Sequence, residues 1–177
     1  MRIGFRPLRA GDMGLLARWQ SSPHVARWWP DPADLESITA RYSPRVLAEE
    51  RTDVFVIELD GSPVGMIQRY RHRDHQDWDR AIGIPDAAGI DYYIGEADQV
   101  GRGVGPAAIA AFARDTLARY EDVRCIVAAP QQDNRASWRA LEKAGFTRVW
   151  SGMLDSDDPS DAGPAFVYRL DRRPPDE

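Results

Sequence analysis

The chain has 177 residues, 43% hydrophobic and 29% charged, which fits one domain with room for a core. No apolar run approaches the roughly 20 residues that a membrane span needs. A net charge of −5 argues against nucleic acid as a partner, and a single cysteine, Cys125, excludes an intramolecular disulfide framework or a cysteine-based zinc cluster.

The opening MRIGFRPLRAGD lacks the apolar core of a signal peptide, so the expected location is the cytoplasm. In IGFRPLR, Ile3 and Phe5 alternate with Pro7 or Leu8, which suits a first strand. Asp12 then precedes Leu15, Leu16 and Trp19 at helical spacing. SSPHVARWWPDP reads as a passage from helix to loop, and SITARYSPRVLAEER as helical on both sides of Pro44. DVFVIELDGSPVGMIQRYR predicts two strands joined by Asp60-Gly61. HRDHQDWDRAIGIPDAAG is polar and rich in turn formers; it reads as a long, functional loop with His72 and His75 on a solvated surface. IDYYIG is a strand, whose alternation sends one of Tyr92 and Tyr93 to the core and the other to a pocket.

A glycine-rich loop follows, and beyond it Ile109, Phe112, Leu117 and Tyr120 mark one face of a helix. VRCIVAAP is a buried-type strand that makes Cys125 a core residue. DNRASWRALEKAGF is a helix capped by Asp133 or Asn134 and ended by Gly145. FTRVWSG and PAFVYRL are the last strands. The expected class is mixed α/β (α+β), with one domain over residues 1–170 and a frayed tail over 171–177.

The stretch QVGRGVGP (Gln99–Pro106) joins a strand to a helix, where unpaired N–H groups and the helix dipole suit phosphate oxygens. Pro106 fits the first helical turn. No Gly-Lys-Ser/Thr follows, so this is not a P-loop, and the glycine spacing does not match the dinucleotide fingerprint. The order of strand, glycine loop, small-residue helix, strand and DNRASWRALEKAGF resembles the GNAT superfamily of acyl-CoA-dependent N-acetyltransferases. The resemblance implies a central twisted, mostly antiparallel sheet, with a splayed parallel pair of strands at the acetyl-CoA site. It also implies acetyl-CoA as co-substrate and no metal. Tyr93, Ile94, Gly95 and the loop Val100, Gly101, Arg102, Gly103, Val104, Gly105 and Pro106 would bind it, with Asn134 on the pantetheine arm. Val100 stands where the family usually has Gln or Arg, and Gln99 lies one residue earlier.

Within that superfamily, HVARWWPD, YSPRVLAEE, DGSPVGMIQRY and GIDYYIG resemble the aminoglycoside 6′-N-acetyltransferases and, less fully, hydroxylysine and siderophore acyltransferases. By this resemblance Asp91 is the base that deprotonates the acceptor amine, and a backbone N–H near Tyr93 or Ile94 holds the carbonyl oxygen. An aminoglycoside is a polycation, so its site is expected to combine Glu50, Gln68, Asp77 and Asp91 with flat surfaces from Trp28, Tyr42 and Trp78. One of the adjacent Trp28 and Trp29 packs inward and the other faces the pocket. The expected assembly is a monomer or homodimer. Two positions depart from the family: Leu141 replaces a thiolate-protonating tyrosine, and Ala129 an acidic residue found in some relatives. A lysine-derived siderophore precursor or another small amine as acceptor, or acyl-CoA binding without turnover, are the competing expectations.

Overall fold

Seven strands and six helices lie within residues 1–174, which the structure, a computed structural model, describes. The chain divides into two compact units, one of Met1–Tyr70 with Asp91–Ala108, the other of Arg71–Ile90 with the chain from Ile109 onward.

The first unit holds β1 (Ile3–Pro7), α1 (Met13–Ser21), α2 (Pro23–Ala26), α3 (Leu35–Val46), β2 (Asp53–Leu59) and β3 (Ser62–Arg71, its last residue in the other unit). Strands β1 and β2 pair antiparallel from Ile3↔Leu59 to Pro7↔Phe55. Asp60 and Gly61, with φ of 50° and 87°, turn the chain from β2 into antiparallel β3, as their sequence predicts. Leu8, Met13, Leu16, Trp19, Val25, Ile38, Tyr42, Val54, Val56, Met66 and Tyr93 form one core cluster. The helical spacing of Leu16 and Trp19 places both on that core with no exposed surface.

Helix α3 runs through Pro44 but ends at Val46, short of the helical stretch expected. Ala48 takes φ 57°, and the Pro44 carbonyl accepts the N–H groups of Glu49 and Glu50 at 2.8 and 3.1 Å. This reversal returns Glu50 toward the helix it has just left.

Strand β4 (Ala87–Ile94) and helix α5 (Val104–Arg119) each run from one unit into the other. The second unit adds α4 (Gln76–Ile82), β5 (Cys125–Ala128), α6 (Arg135–Lys143), β6 (Thr147–Met153) and β7 (Pro164–Asp171). Strand β4 pairs parallel with β5 from Ala87↔Cys125 to Gly89↔Val127, whereas β5 and β6 both pair antiparallel with β7. The strand order is β1-β2-β3-β4-β5-β7-β6, mostly antiparallel with one parallel pair, the sheet that the resemblance implied.

The long polar segment after β3 is not a loop. A helical turn at His72–Asp74 and α4 occupy it, ended by Gly83 at φ 68°. Ile82 and Ile84 pack against Ala87, Cys125, Val127 and Val167, which gives this polar sequence an inner face. His72, expected on the surface, is 1% exposed. Cys125 is fully buried, and burial raises its thiol pKa, so it sits in the core as expected. The segment expected to fray from residue 171 begins inside β7, and Arg172 donates to the carbonyls of Leu117, Tyr120 and Val123 at 2.7, 2.7 and 2.9 Å. Residues 175–177 of that tail lie outside the described residues.

Candidate active site

Alternation along β4 sends Asp91 and Tyr93 to the same face. Tyr93 is the buried member of the tyrosine pair, 7% exposed, with Trp29 edge-on at 5.1 Å and Trp19 at 6.2 Å. Gln20 of α1 donates from its amide to the hydroxyls of Tyr42 (2.9 Å) and Tyr93 (3.2 Å). Burial raises the pKa of Tyr42 and lifts that of Tyr93 well above its usual value, so both are neutral phenols. Tyr42 has no exposed surface; it braces the core and is not the flat sugar platform expected of it. Between the adjacent tryptophans, Trp29 packs inward on the core and Trp28 lies under the Arg27 guanidinium at 4.7 Å.

Asp91 is half-buried, and its Oδ2 accepts from the amide of Gln68 at 2.9 Å. The Gln68 carbonyl oxygen in turn accepts from Arg45 at 2.9 Å, and Arg45 Nε donates to Glu50 at 3.0 Å. A carboxamide held between a guanidinium and a carboxylate has one favourable orientation, oxygen toward the cation and nitrogen toward the anion. Gln68 is 6% exposed, so this orientation is little exchanged with water. Three residues expected at the acceptor site, Glu50, Gln68 and Asp91, are thus brought into one chain of bonds. Its fourth member, Arg45, was not anticipated. The visible signal was its place three residues after Tyr42 on α3; its partners lie on other elements.

The end of β4 is tightly held. Gly95 and Glu96 donate to the Val64 carbonyl at 2.8 and 3.1 Å, and the Ile94 carbonyl meets His24 Nε2 at 2.9 Å. A carbonyl only accepts, so this His24 nitrogen carries the proton. Arg18 and the Trp19 indole both donate to Glu96, which holds its carboxyl below the ordinary range. A Cβ on Gly65 would lie 2.3 Å from the backbone carbonyl oxygen of Tyr93, so only glycine permits this approach of β3 to β4.

Beyond β4 the chain turns through the glycine loop. Gly101 and Gly103 have φ of 77° and 81°, the left-handed region that glycine alone enters cheaply. Apart from the adjoining residues of the chain, no heavy atom lies within 4 Å of the position a Cβ would take at either residue. Val100, Arg102 and the two glycines are exposed, Val104 is buried, and Gly105 and Pro106 stand in the first turn of α5. The left-handed glycines, open space and helix start fit a phosphate-bearing ligand approaching the backbone. These residues are therefore suited to the coenzyme that the family resemblance implied.

In the second unit, Asn134 caps α6 by accepting from the Ser137 N–H at 3.4 Å. Leu141 is fully buried. Asp77 is exposed and paired with Arg80 of its own helix, while Trp78 meets the His72 ring edge-on at 6.4 Å. Among the described residues no cluster of three or more His, Cys, Asp or Glu could hold a metal ion, and no helix is long and apolar enough to cross a membrane.

The sheet with one parallel pair and the glycine loop that opens α5 define a fold of the GNAT acyltransferase type. Residues 9–152 match the acetyltransferase (GNAT) domain, and the chain belongs to that family. It is 30% identical over 178 residues to the aminoglycoside N(6′)-acetyltransferase type 1 of Klebsiella pneumoniae, covering 97% of this chain and 83% of that protein. A lysine N-acyltransferase, MbtK of Mycolicibacterium paratuberculosis, is 26% identical over 152 residues, covering 81% of this chain and 64% of that protein. Among solved structures, the aminoglycoside acetyltransferase AAC(6′)-Ib with coenzyme A and kanamycin superposes with a TM-score of 0.83 at 28% identity, over 97% of this chain and 95% of that one.

Proposed function

We propose that this acetyltransferase transfers the acetyl group of acetyl-CoA to the 6′-amine of aminoglycosides, by direct attack within a ternary complex. The observation that carries the reading is Asp91, half-buried and oriented by Gln68, on the strand that leads into the glycine loop. Likeness to the aminoglycoside N(6′)-acetyltransferase along nearly the whole chain supports the acceptor class. The family match runs through both units, which supports reading residues 1–170 as one acetyltransferase domain.

An amine attacks only when its nitrogen lone pair is free, and Asp91 takes the proton directly or through one water. When bound, acetyl-CoA supplies a thioester activated toward attack. Its phosphates would rest on Gly101–Pro106. Leu141 has no proton to give, and a thiol with a reference pKa of about 8.5 leaves without that help. Asp91 supplies negative charge for a cationic acceptor, while Glu50 is already paired with Arg45.

A second reading keeps the chemistry and exchanges the acceptor for a lysine-derived amine. The likeness to a lysine N-acyltransferase favours it, as does Arg45 among the acceptor-side carboxylates. Thiol release from acetyl-CoA with kanamycin, tobramycin and hydroxylysine in parallel separates the two, with the acetylated position assigned by NMR. The expected result is rapid release with the aminoglycosides and a 6′-acetyl product. Release with hydroxylysine alone would replace the first reading by the second, and binding of coenzyme A with no amine-stimulated release would overturn both.

A further inference from the structure

A site built to receive ammonium groups presents carboxylates and amide oxygens that wait for a donor. Here the donor is already present. Arg45 donates from Nε to Glu50 at 3.0 Å and from a terminal nitrogen to the Gln68 oxygen at 2.9 Å. Its guanidinium stands 5.0 Å from the Tyr42 ring centroid, and its side chain is 17% exposed. Local backbone geometry builds the arrangement: the chain reversal at Ala48 returns Glu50 to Arg45, and the last turn of α3 sets Arg45 over Tyr42.

We propose that Arg45 is a specificity-determining residue that fills the Glu50–Gln68 subsite with the enzyme's own cation. Acceptors that place a hydroxyl or carboxylate there are favoured over acceptors that place an ammonium. The inference rests on the reading that Asp91 and its neighbours form the acceptor side of the site. An ammonium entering beside Glu50 meets a like charge and must displace a two-pronged donor, whose planar fork loses little freedom by staying in place. A hydroxyl accepts from the guanidinium at little cost, and a carboxylate gains a charge-assisted bond. Because Gln68 also holds Asp91, the same guanidinium sets the amide that orients the base.

The test uses Arg45→Met, which keeps an unbranched stem on Tyr42 and removes the charge and the donors. Arg45→Gln serves as a second uncharged variant, and Arg45→Lys keeps the charge. The probes are kanamycin A and kanamycin B, which differ by a hydroxyl-for-amine replacement on the acceptor ring, and hydroxylysine, which carries a carboxylate. Wild type is expected to prefer kanamycin A. Loss of the charge should shift the ratio of kcat/KM values toward kanamycin B by about tenfold, mostly through KM. Arg45→Lys should retain most of the wild-type preference. KM for hydroxylysine should rise in both uncharged variants. An unchanged ratio between the kanamycins, or an equal loss for all three acceptors with a lowered melting temperature, would overturn the proposal and leave Arg45 a structural residue.

Calorimetric binding, which needs no turnover, keeps this result separate from the aminoglycoside reading. If wild type acetylates neither kanamycin but Arg45→Met shifts their relative affinities as stated, the specificity role stands and the aminoglycoside reading falls. If neither kanamycin binds either protein, hydroxylysine decides: a raised KM in the uncharged variants supports the role, and an unchanged one overturns it.

Discussion

Replacing Gly95 by alanine tests how firmly the end of β4 is held. Gly95 does not adopt a left-handed φ, so alanine meets no backbone penalty there. Its new Cβ would lie 2.1, 2.3 and 2.4 Å from three atoms of the Trp19 indole. Carbon atoms pack best at roughly 3.5–4.0 Å, so strand and ring must part by about 1.4 Å or more. Trp19 has nowhere to go: it has no exposed surface, its Nε1 donates to Glu96 at 2.9 Å, and its ring sits edge-on to Tyr93. Overpacking of this kind costs about 1–3 kcal/mol, and the upper end applies because both partners are fixed. For a chain of this length that loss lowers the melting temperature by roughly 6–12 °C. Turnover should fall as well, since the displaced segment includes Tyr93, two residues from Asp91. Differential scanning calorimetry of Gly95→Ala, Trp19→Leu and the double variant supplies the measurement. The leucine vacates the space a Cβ needs, so the double variant should lose less than the sum of the two by about 1 kcal/mol or more. A Gly95→Ala protein melting within about 1 °C of wild type would refute the reasoning, because no close packing of β4 on Trp19 could survive that result.

Asp91→Asn keeps the shape and the contact with Gln68 but cannot take a proton; turnover should fall by about 10²–10⁴-fold with acetyl-CoA affinity nearly intact. Steady-state kinetics with coenzyme titration checks this, and undiminished turnover would remove Asp91 as the base. Gly103→Val meets no neighbouring atom, yet it forces a β-branched residue to φ 81° and covers the open backbone, so coenzyme affinity should drop by about tenfold or more. Equilibrium binding of coenzyme A that matches wild type would make the loop a turn and nothing more. Burial, aided by nearby His75, lowers the His72 pKa from 6.5 to about 4. The unfolded chain therefore takes up the proton first. Stability should decline as pH falls from about 6.5 to about 4, by roughly 3 kcal/mol in all, and level off below. Urea unfolding across that range should show the slope in wild type and lose this component in His72→Gln; identical slopes would contradict the assignment.

Local backbone chemistry made much of the fold legible from sequence. Asp60-Gly61 announces the hairpin because few residue pairs accept two positive φ values, and they take 50° and 87°. Asn134 and Gly145 bracket α6 because one side-chain oxygen satisfies a first-turn N–H and only glycine readily adopts φ 97° at the end. The glycine loop is legible for the same reason. Polar composition hides a short helix at residues 76–82, because among turn formers and charges the inner face rests on only two side chains, Ile82 and the following Ile84.

At the candidate site, the residue order along β4 already places Asp91 and Tyr93 on one face, since a strand alternates with period two. What each one meets depends on the packing of distant segments. That packing buried Tyr42 and Tyr93 around Gln20, whose two amide hydrogens reach residues 22 and 73 positions away. It also joined Arg45 to Asp91 through Gln68, which stands 23 residues from each. Such partners carry no local signal, because the bonds depend on where α1 and α3 pack against β3 and β4, and that packing is set by the whole core at once.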